Sequence, residues 1–304
     1  MISYFKIIRP INLMMIAITM VIAKYGFIEV LQVGTALSPF YFFLLVFSTI
    51  CIAAGGYVIN DSYDVEIDKI NKPKKVLIGI KISQRSASVY YVVLTLLGVV
   101  AGFIISNHIE KPAFSAYFII IAALLYSYAS NLKSRLLIGN ILISILVGMT
   151  LITIVLFDIL PAINIKATER QMAASSILLY YAGFSFYINL IRELVKDLQD
   201  INGDKNGGRN TLAIVLGRKR TTLLVFVLGL LAIIGLVTYT YTFLYQYQFI
   251  ALYFLGGIVA PLIIFCIKSW SAESEKDYKN LSILAKAILF IGMLSLLFYP
   301  QVLT

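Results

Sequence analysis

The stretch FYFFLLVFSTICIAAGGYVINDSYDVEIDKINKPKK, residues 40–75, decides the fold. Residues 40–59 carry no charge, and a helix crossing a bilayer needs about 20 consecutive, mostly apolar residues. The character then changes abruptly. Asp61, Asp64, Glu66 and Asp68 crowd into residues 60–68, and Lys69, Lys72, Lys74 and Lys75 follow. A helix at the surface of a soluble domain keeps one polar face along its length. This segment is apolar all round and then charged, so it reads as a membrane span that delivers an acidic cluster to an aqueous face.

Working outward, similar apolar runs recur near 11–33, 39–59, 86–106, 112–129, 136–158, 171–191, 221–241, 248–269 and 280–300. Nine spans use most of the 304 residues and leave no segment long enough for a second folded domain. The expected fold is therefore all-α and polytopic, a single domain over 1–304 with Asp-rich cytoplasmic loops at 60–85 and 192–220. Composition agrees. The chain is 60% hydrophobic and 13% charged, against about 45–50% and about 25% in soluble domains. With 19 Gly and 7 Pro, disorder and a collagen repeat are also excluded. His108, the only histidine, reads as a loop residue, which removes a histidine metal site or a catalytic triad. Cys51 and Cys266 lie in apolar runs and read as small buried hydrophobes.

The net charge of +10 is organised by topology. Of 25 Lys and Arg, twenty fall at the N-terminus and in the connections 60–85, 130–135, 192–220 and 268–279. Three (Lys111, Lys166, Arg170) fall on the alternate side, and Lys24 and Lys286 lie inside spans. The positive-inside rule then places the N-terminus and both acidic segments in the cytoplasm and the C-terminus on the opposite side. The cations form no basic domain for nucleic acid, and no obligate protein partner is evident. The first run follows Lys6 and Arg9, has no small-residue cleavage site and reads as a retained span. Lys24 and Glu29, in its outer half, are expected to snorkel to the interface.

Eight of the 15 acids sit in two segments, just past the cytoplasmic ends of the second and sixth spans. NDSYDVEID (60–68) spaces Asp61, Asp64 and Asp68 by three and then four residues. KDLQDINGD (196–204) spaces Asp197, Asp200 and Asp204 identically, close behind Glu193. If each helix continues past the membrane, each segment presents a column of carboxylates on one face. Stacked like charges repel and need a positive offset. Mg²⁺ suits carboxylate oxygens and is commonly shared with substrate phosphates. Two solvated acidic helix ends are the plain alternative, which the repeated spacing and shared face disfavour. Two such columns above an apolar, aromatic-rich bundle suit a ligand with a diphosphate head and a long hydrocarbon tail, a prenyl diphosphate. Mg²⁺ and cations would stabilise the departing diphosphate, and aromatic faces would stabilise the allylic cation. Tyr180, Tyr181, Phe184, Phe186 and Tyr187 are available for this, or serve as core.

NDSYDVEID resembles the NDxxDxxxD signature of the UbiA-type intramembrane prenyltransferases, and KDLQDINGD resembles their second DxxDxxxD motif. RPIN (9–12), LYSYASNLK (125–133) and the pair Gly139–Asn140 agree with that resemblance, which covers the whole chain. It implies nine helices around a central cavity open sideways to lipid, capped by cytoplasmic loops that hold both Asp motifs. It also implies Asn60, Asp61, Asp64, Asp68, Asp197, Asp200 and Asp204 as Mg²⁺ ligands, with Asp64, Asp68, Asp200 and Asp204 closest to catalysis. Substrate contacts are implied for Arg9, Asn12, Tyr128, Lys133, Lys72 and Arg209, with Tyr126 as a substitute for Tyr128.

One departure stands out. Where many members read roughly NRPLPSGxIS, this chain reads NKPKKVLIGIKIS (71–83), which bears on loop contacts and the acceptor. The wording of 58–73 and 192–214 is most like members that transfer a geranylgeranyl group to the hydroxyl of geranylgeranylglycerol phosphate. Aromatic quinone precursors, of the 4-hydroxybenzoate or dihydroxynaphthoate type, are the alternative acceptors. A secondary transporter would place ionisable groups near the bilayer midplane. A CDP-alcohol phosphotransferase would need an Asp-Gly-x-x-Ala-Arg element that GDKNGGR lacks. Asp64→Ala and Asp200→Ala are expected to abolish turnover with little loss of folding, because the acids are read as lying on a surface cap.

Overall fold

In the computed structural model, which describes residues 2–303, nine helices are long and apolar enough to cross a membrane. They are α1 (Pro10–Ile28), α2 (Pro39–Tyr63), α3 (Gln84–His108), α4 (Pro112–Ser130), α5 (Ile138–Ala162), α6 (Glu169–Asn206), α7 (Arg218–Leu244), α8 (Gln248–Trp270) and α9 (Glu275–Phe298). Each corresponds to one apolar run of the sequence, and the chain is an integral membrane protein. Helix starts follow local chemistry. Pro10, Pro39 and Pro112 open α1, α2 and α4, where a missing N–H costs nothing. Thr168 and Gln171 form a capping box at α6, as do Ser274 and Asp277 at α9.

Packing uses small residues, as expected where lipid supplies no hydrophobic drive between helices. Ser48 Oγ of α2 donates to the Gly98 carbonyl of α3 at 2.7 Å, and a Cβ at Gly98 would lie 2.9 Å from the Ser48 carbonyl oxygen. The outward row Val89, Val92, Val93, Leu96, Val100 and Phe103 of α3 is exposed and suits contact with lipid chains.

Two expected loops are in large part helical. The apolar run of α6 ends near residue 191, yet the helix continues to Asn206, 38 residues in all. At 1.5 Å per residue that is about 57 Å, against a hydrocarbon core of about 30 Å. Good helix formers carry it onward through RELVKDLQD. The 60–85 loop contains the helix Val65–Asn71 and a tight turn at 77–82, where Ile78 and Ile82 are buried with Val58, Ala87 and Ile7. The first acidic segment is not one helical column. α2 stops at Tyr63, and Asp64 (φ −94, ψ 2) breaks the path before Val65.

Lys24 does not snorkel. α1 ends in a π-helical segment, Ile22–Ile28, and α5 contains one near its end, Val155–Ile159. These face Lys24 Nζ to Asp158 Oδ2 at 2.8 Å, with side chains 1% and 0% exposed. Lys24 also donates to Thr35 Oγ1 at 2.9 Å, and Asp158 Oδ1 accepts the Leu37 N–H at 2.8 Å. A buried partner gives Lys24 what the interface would otherwise supply. Glu29 stays at the surface, 3.8 Å from Lys24. His108 is the last residue of α3 rather than a loop residue, stacked on Tyr41 with centroids 3.4 Å apart. Cys51 and Cys266 are free and buried, as read from the sequence. Val302 packs near the α7–α8 connection, where Tyr247 Oη donates to its carbonyl at 2.9 Å.

Candidate active site at the cap of the bundle

The two acidic motifs converge, and basic side chains stand between them. Asp64, 7% exposed, receives Lys133 Nζ at 2.6 Å on Oδ1 and pairs with Arg209 through the same oxygen. Arg209 Nη1 also reaches Asp204 Oδ1 at 2.9 Å, so one guanidinium bridges both motifs. Lys72 pairs with Asp200. Asn60 donates to Asp64 Oδ2 at 3.0 Å, and Asn140 donates to Asp197 Oδ2 at 2.9 Å. Arg9 reaches Asp61 Oδ1 at 2.6 Å with its guanidinium 4.8 Å from the Tyr57 ring centre. Its backbone is left-handed (φ 55, ψ 64), a costly conformation outside glycine that functional sites retain.

Electrostatics follow from this crowding. Burial pushes the Lys133 amine below its ordinary value, although Asp64 acts to hold it charged. Burial would also lower Arg209, but Asp64 and Asp204 outweigh it and the guanidinium is raised. Burial pushes the Asp68 carboxyl up; Lys72 opposes the shift, and Asp64 and Asp61 add to it. Among the described residues, no three acidic side chains converge at metal-binding distance. The donor set nonetheless fits a hard divalent cation. It is all oxygen, and Asp200 Oδ1 is buried with no hydrogen-bond partner.

Below the cap lies a cavity of about 280 Å³. Arg9, Asn12, Tyr57, Asn60, Arg192, Glu193, Lys196 and Tyr128 are among its polar lining residues. From Asn60 to Thr49 its lining descends α2 by eleven residues, about 16 Å. Ile16, Ile52, Leu125, Leu151 and Phe290 make its walls apolar, and Tyr117 is bonded to Thr153 at the end of the bundle away from the cap. This is the shape of a polar head site above a hydrocarbon slot.

The profile of the UbiA prenyltransferase family matches residues 13–299. The chain belongs to this family. A digeranylgeranylglyceryl phosphate synthase of Sulfolobus acidocaldarius is 31% identical over 265 residues, 86% of this chain and 85% of the relative. The synthase of the same name from Methanosphaera stadtmanae is 31% identical over 294 residues, 96% and 95% of the two chains. A UbiA homologue from Archaeoglobus fulgidus, solved bound to GPP and Mg²⁺, superposes with a TM-score of 0.58 at 16% identity, over 97% of this chain and 99% of that one. The chain is thus a prenyltransferase, with the fold of that family.

Within this prenyltransferase, Tyr128 lines the cavity, whereas Tyr126 turns away to Tyr63 Oη at 3.0 Å. Of the two readings left open for the aromatics of α6, packing rather than cavity lining is the one the structure shows. Ser185, Asn189, Arg192, Glu193 and Lys196 form the cavity face of that helix, so Tyr180, Tyr181, Phe184, Phe186 and Tyr187 lie on its other sides. Tyr181 bonds Ser295, and Tyr187 donates to the Leu228 carbonyl at 3.0 Å. The aromatic cavity residues are Tyr57, Tyr117, Phe118, Tyr128 and Phe290.

Sequence reasoning missed Asn71. Its Nδ2 donates to the Asp200 carbonyl at 3.0 Å, and its Oδ1 accepts the Gly203 N–H at 2.9 Å, stitching the two motifs together. It also missed Lys286, whose signal was an amine inside an apolar run.

Gly139 lets the Lys133 loop sit against α5. A Cβ there would lie 2.7 Å from Lys133 Cα and 3.1 Å from the Leu132 oxygen. Gly139→Ala is therefore expected to displace Lys133 and cut kcat/KM for the prenyl donor about tenfold to a hundredfold, while the helices stay folded by circular dichroism.

Proposed function

We propose that this prenyltransferase moves a geranylgeranyl group from its diphosphate to the free hydroxyl of geranylgeranylglycerol phosphate, with Mg²⁺ as cofactor. The observation that carries the reading is the Asp64–Arg209–Asp204 bridge, which joins both acidic motifs over the mouth of an apolar cavity. The relatives named digeranylgeranylglyceryl phosphate synthase support the choice of acceptor.

In this reading Asn60, Asp61, Asp64, Asp68, Asp197, Asp200 and Asp204 hold Mg²⁺. Bound there, Mg²⁺ would supply positive charge to offset that of the departing diphosphate. Lys72, Lys133 and Arg209, paired with acids here, are positioned to turn to the phosphate oxygens. Arg9, Asn12 and Tyr128 hold the head of the chain at the cavity mouth. The C1–O bond breaks with its electron pair on the diphosphate. The allylic cation lies near Tyr57 and Tyr128 at the cavity mouth, and the acceptor oxygen bonds C1. The hydroxyl proton passes to the released diphosphate, so ether and hydrogen diphosphate balance the reactants.

Residues 1–304 act as one catalytic domain. The N-terminus and both Asp motifs face the cytoplasm and the C-terminus lies outside, supported by the twenty cations on one side. Purified protein given labelled geranylgeranyl diphosphate, Mg²⁺ and geranylgeranylglycerol phosphate is expected to form the diether. EDTA should reduce the rate by about a thousandfold or more. Transfer to 4-hydroxybenzoate or 1,4-dihydroxy-2-naphthoate instead would replace the acceptor.

A further inference from the structure

The cavity wall carries more cations than donor binding requires. Arg9 is matched by Asp61. Arg192 Nη1 and Lys196 Nζ share one acid, Glu193, at 3.0 Å and 2.8 Å. Lys286 Nζ of α9 donates to the neutral Asn12 Oδ1 at 2.6 Å, and no ion pair to it is found among the described residues. Arg192 Nε is buried without a hydrogen-bond partner. Arg9, Asn12, Arg192, Glu193, Lys196 and Lys286 all line the cavity. Arg192, Lys196 and Lys286 set against Glu193 leave two excess positive charges on a low-dielectric wall. Such an excess is costly unless an anion meets it.

The excess is separate from the cap cations. Lys72, Lys133 and Arg209 each touch an Asp of the two motifs, whereas Lys286 and Arg192 touch none of them. Along α6, Arg192 precedes Asp200 by eight residues, about 12 Å deeper. A phosphate monoester carries about −1.5 to −2 charge, which matches the excess. In a glycerol phosphate lipid the nucleophilic hydroxyl and the phosphate ester stand on neighbouring carbons. Anchoring the phosphate on this wall therefore brings the hydroxyl beside the donor carbon under the cap.

We propose that Lys286, Arg192 and Lys196 bind the phosphate monoester of the acceptor lipid and so select phosphorylated acceptors over neutral ones. This rests on the acceptor reading given above. The test uses the full chain in nanodiscs of neutral phosphatidylcholine, with Lys286→Met, Lys286→Arg, Arg192→Gln and Arg192→Lys. Lys286→Met and Arg192→Gln are expected to raise KM for geranylgeranylglycerol phosphate by about ten- to a hundredfold. KM for geranylgeranyl diphosphate should stay within about twofold, and preference over dephosphorylated geranylgeranylglycerol should fall by a similar factor to the KM rise. The charge-conserving variants should recover most of the loss, which separates lost charge from lost fold.

Equilibrium binding of labelled geranylgeranylglycerol phosphate in EDTA, with no donor, should weaken equally in Lys286→Met. Excess phosphatidylglycerol and inorganic phosphate should displace it poorly. Efficient displacement by phosphatidylglycerol would make this a general headgroup site and overturn the proposal, as would efficient displacement by inorganic phosphate. If the wild type makes diether but Lys286→Met raises donor KM instead, the proposal fails alone. If the wild type makes no diether at all, the acceptor reading fails first.

Discussion

Asp64→Asn is expected to lower kcat/KM by at least about a thousandfold while leaving a folded protein. The amide keeps the shape and accepts one hydrogen bond, but it removes the charge on which Lys133 and Arg209 converge. Asp64→Ala should lose turnover equally and also destabilise the fold. The acid is buried beneath the cap, and its removal leaves two cations without their shared partner. Breaking a fully buried pair costs about 3–5 kcal/mol; partial exposure of Lys133 and Arg209 brings the expected loss to about 1–3 kcal/mol. Asp64 thus differs from the surface ligand that sequence alone suggested. Asp200 is more exposed, so Asp200→Ala should abolish turnover with a smaller drop in unfolding midpoint. Single-turnover rates and thermal unfolding in detergent measure both effects. Near-normal turnover in Asp64→Asn would remove the two-motif site.

Lys24→Met is expected to be the most destabilising single change on the opposite half of the bundle. It strands Asp158, which is 0% exposed, and the corresponding loss is about 3–5 kcal/mol. Asp158→Leu should cost a similar amount by stranding Lys24. The double variant should recover most of the stability, because two apolar side chains replace a desolvated pair. Neither residue lines the cavity, so KM for the donor should remain near wild type in all three. Reversible unfolding in mixed micelles gives the coupling. Strictly additive losses would show that the pair is not an energetic unit.

The spans were legible because each needs only a run of apolar residues, and that signal is local. The acidic motifs and their cations were legible too, since charge is scarce in this chain and its clusters stand out. Pairings were not. Nothing local to Lys24 indicates Asp158, which is 134 positions away and brought near by two π-helical segments. Asn71 reads as one polar residue in a polar loop, and its value comes from the backbone it meets on α6. The role of the α6 aromatics stayed open in the sequence because rotation about a helix axis is set by packing. Here Ser185, Asn189 and Glu193 took the cavity side. The length of α6 was underestimated because hydropathy reports where the bilayer ends, not where the helix does.

That length has a mechanical consequence. α6 runs unbroken from the capping box at Thr168 to Asn206, so Asp197, Asp200 and Asp204 are fixed to the same rod that walls the cavity. The partner motif is mounted differently, across the break at Asp64 and on the short helix Val65–Asn71. One half of the cap is thus continuous with a membrane-spanning helix, while the other is a short separate helix held to it by the Lys72–Asp200 pair and the Asn71–Gly203 hydrogen bond, so the spacing of the two motifs depends on that seam.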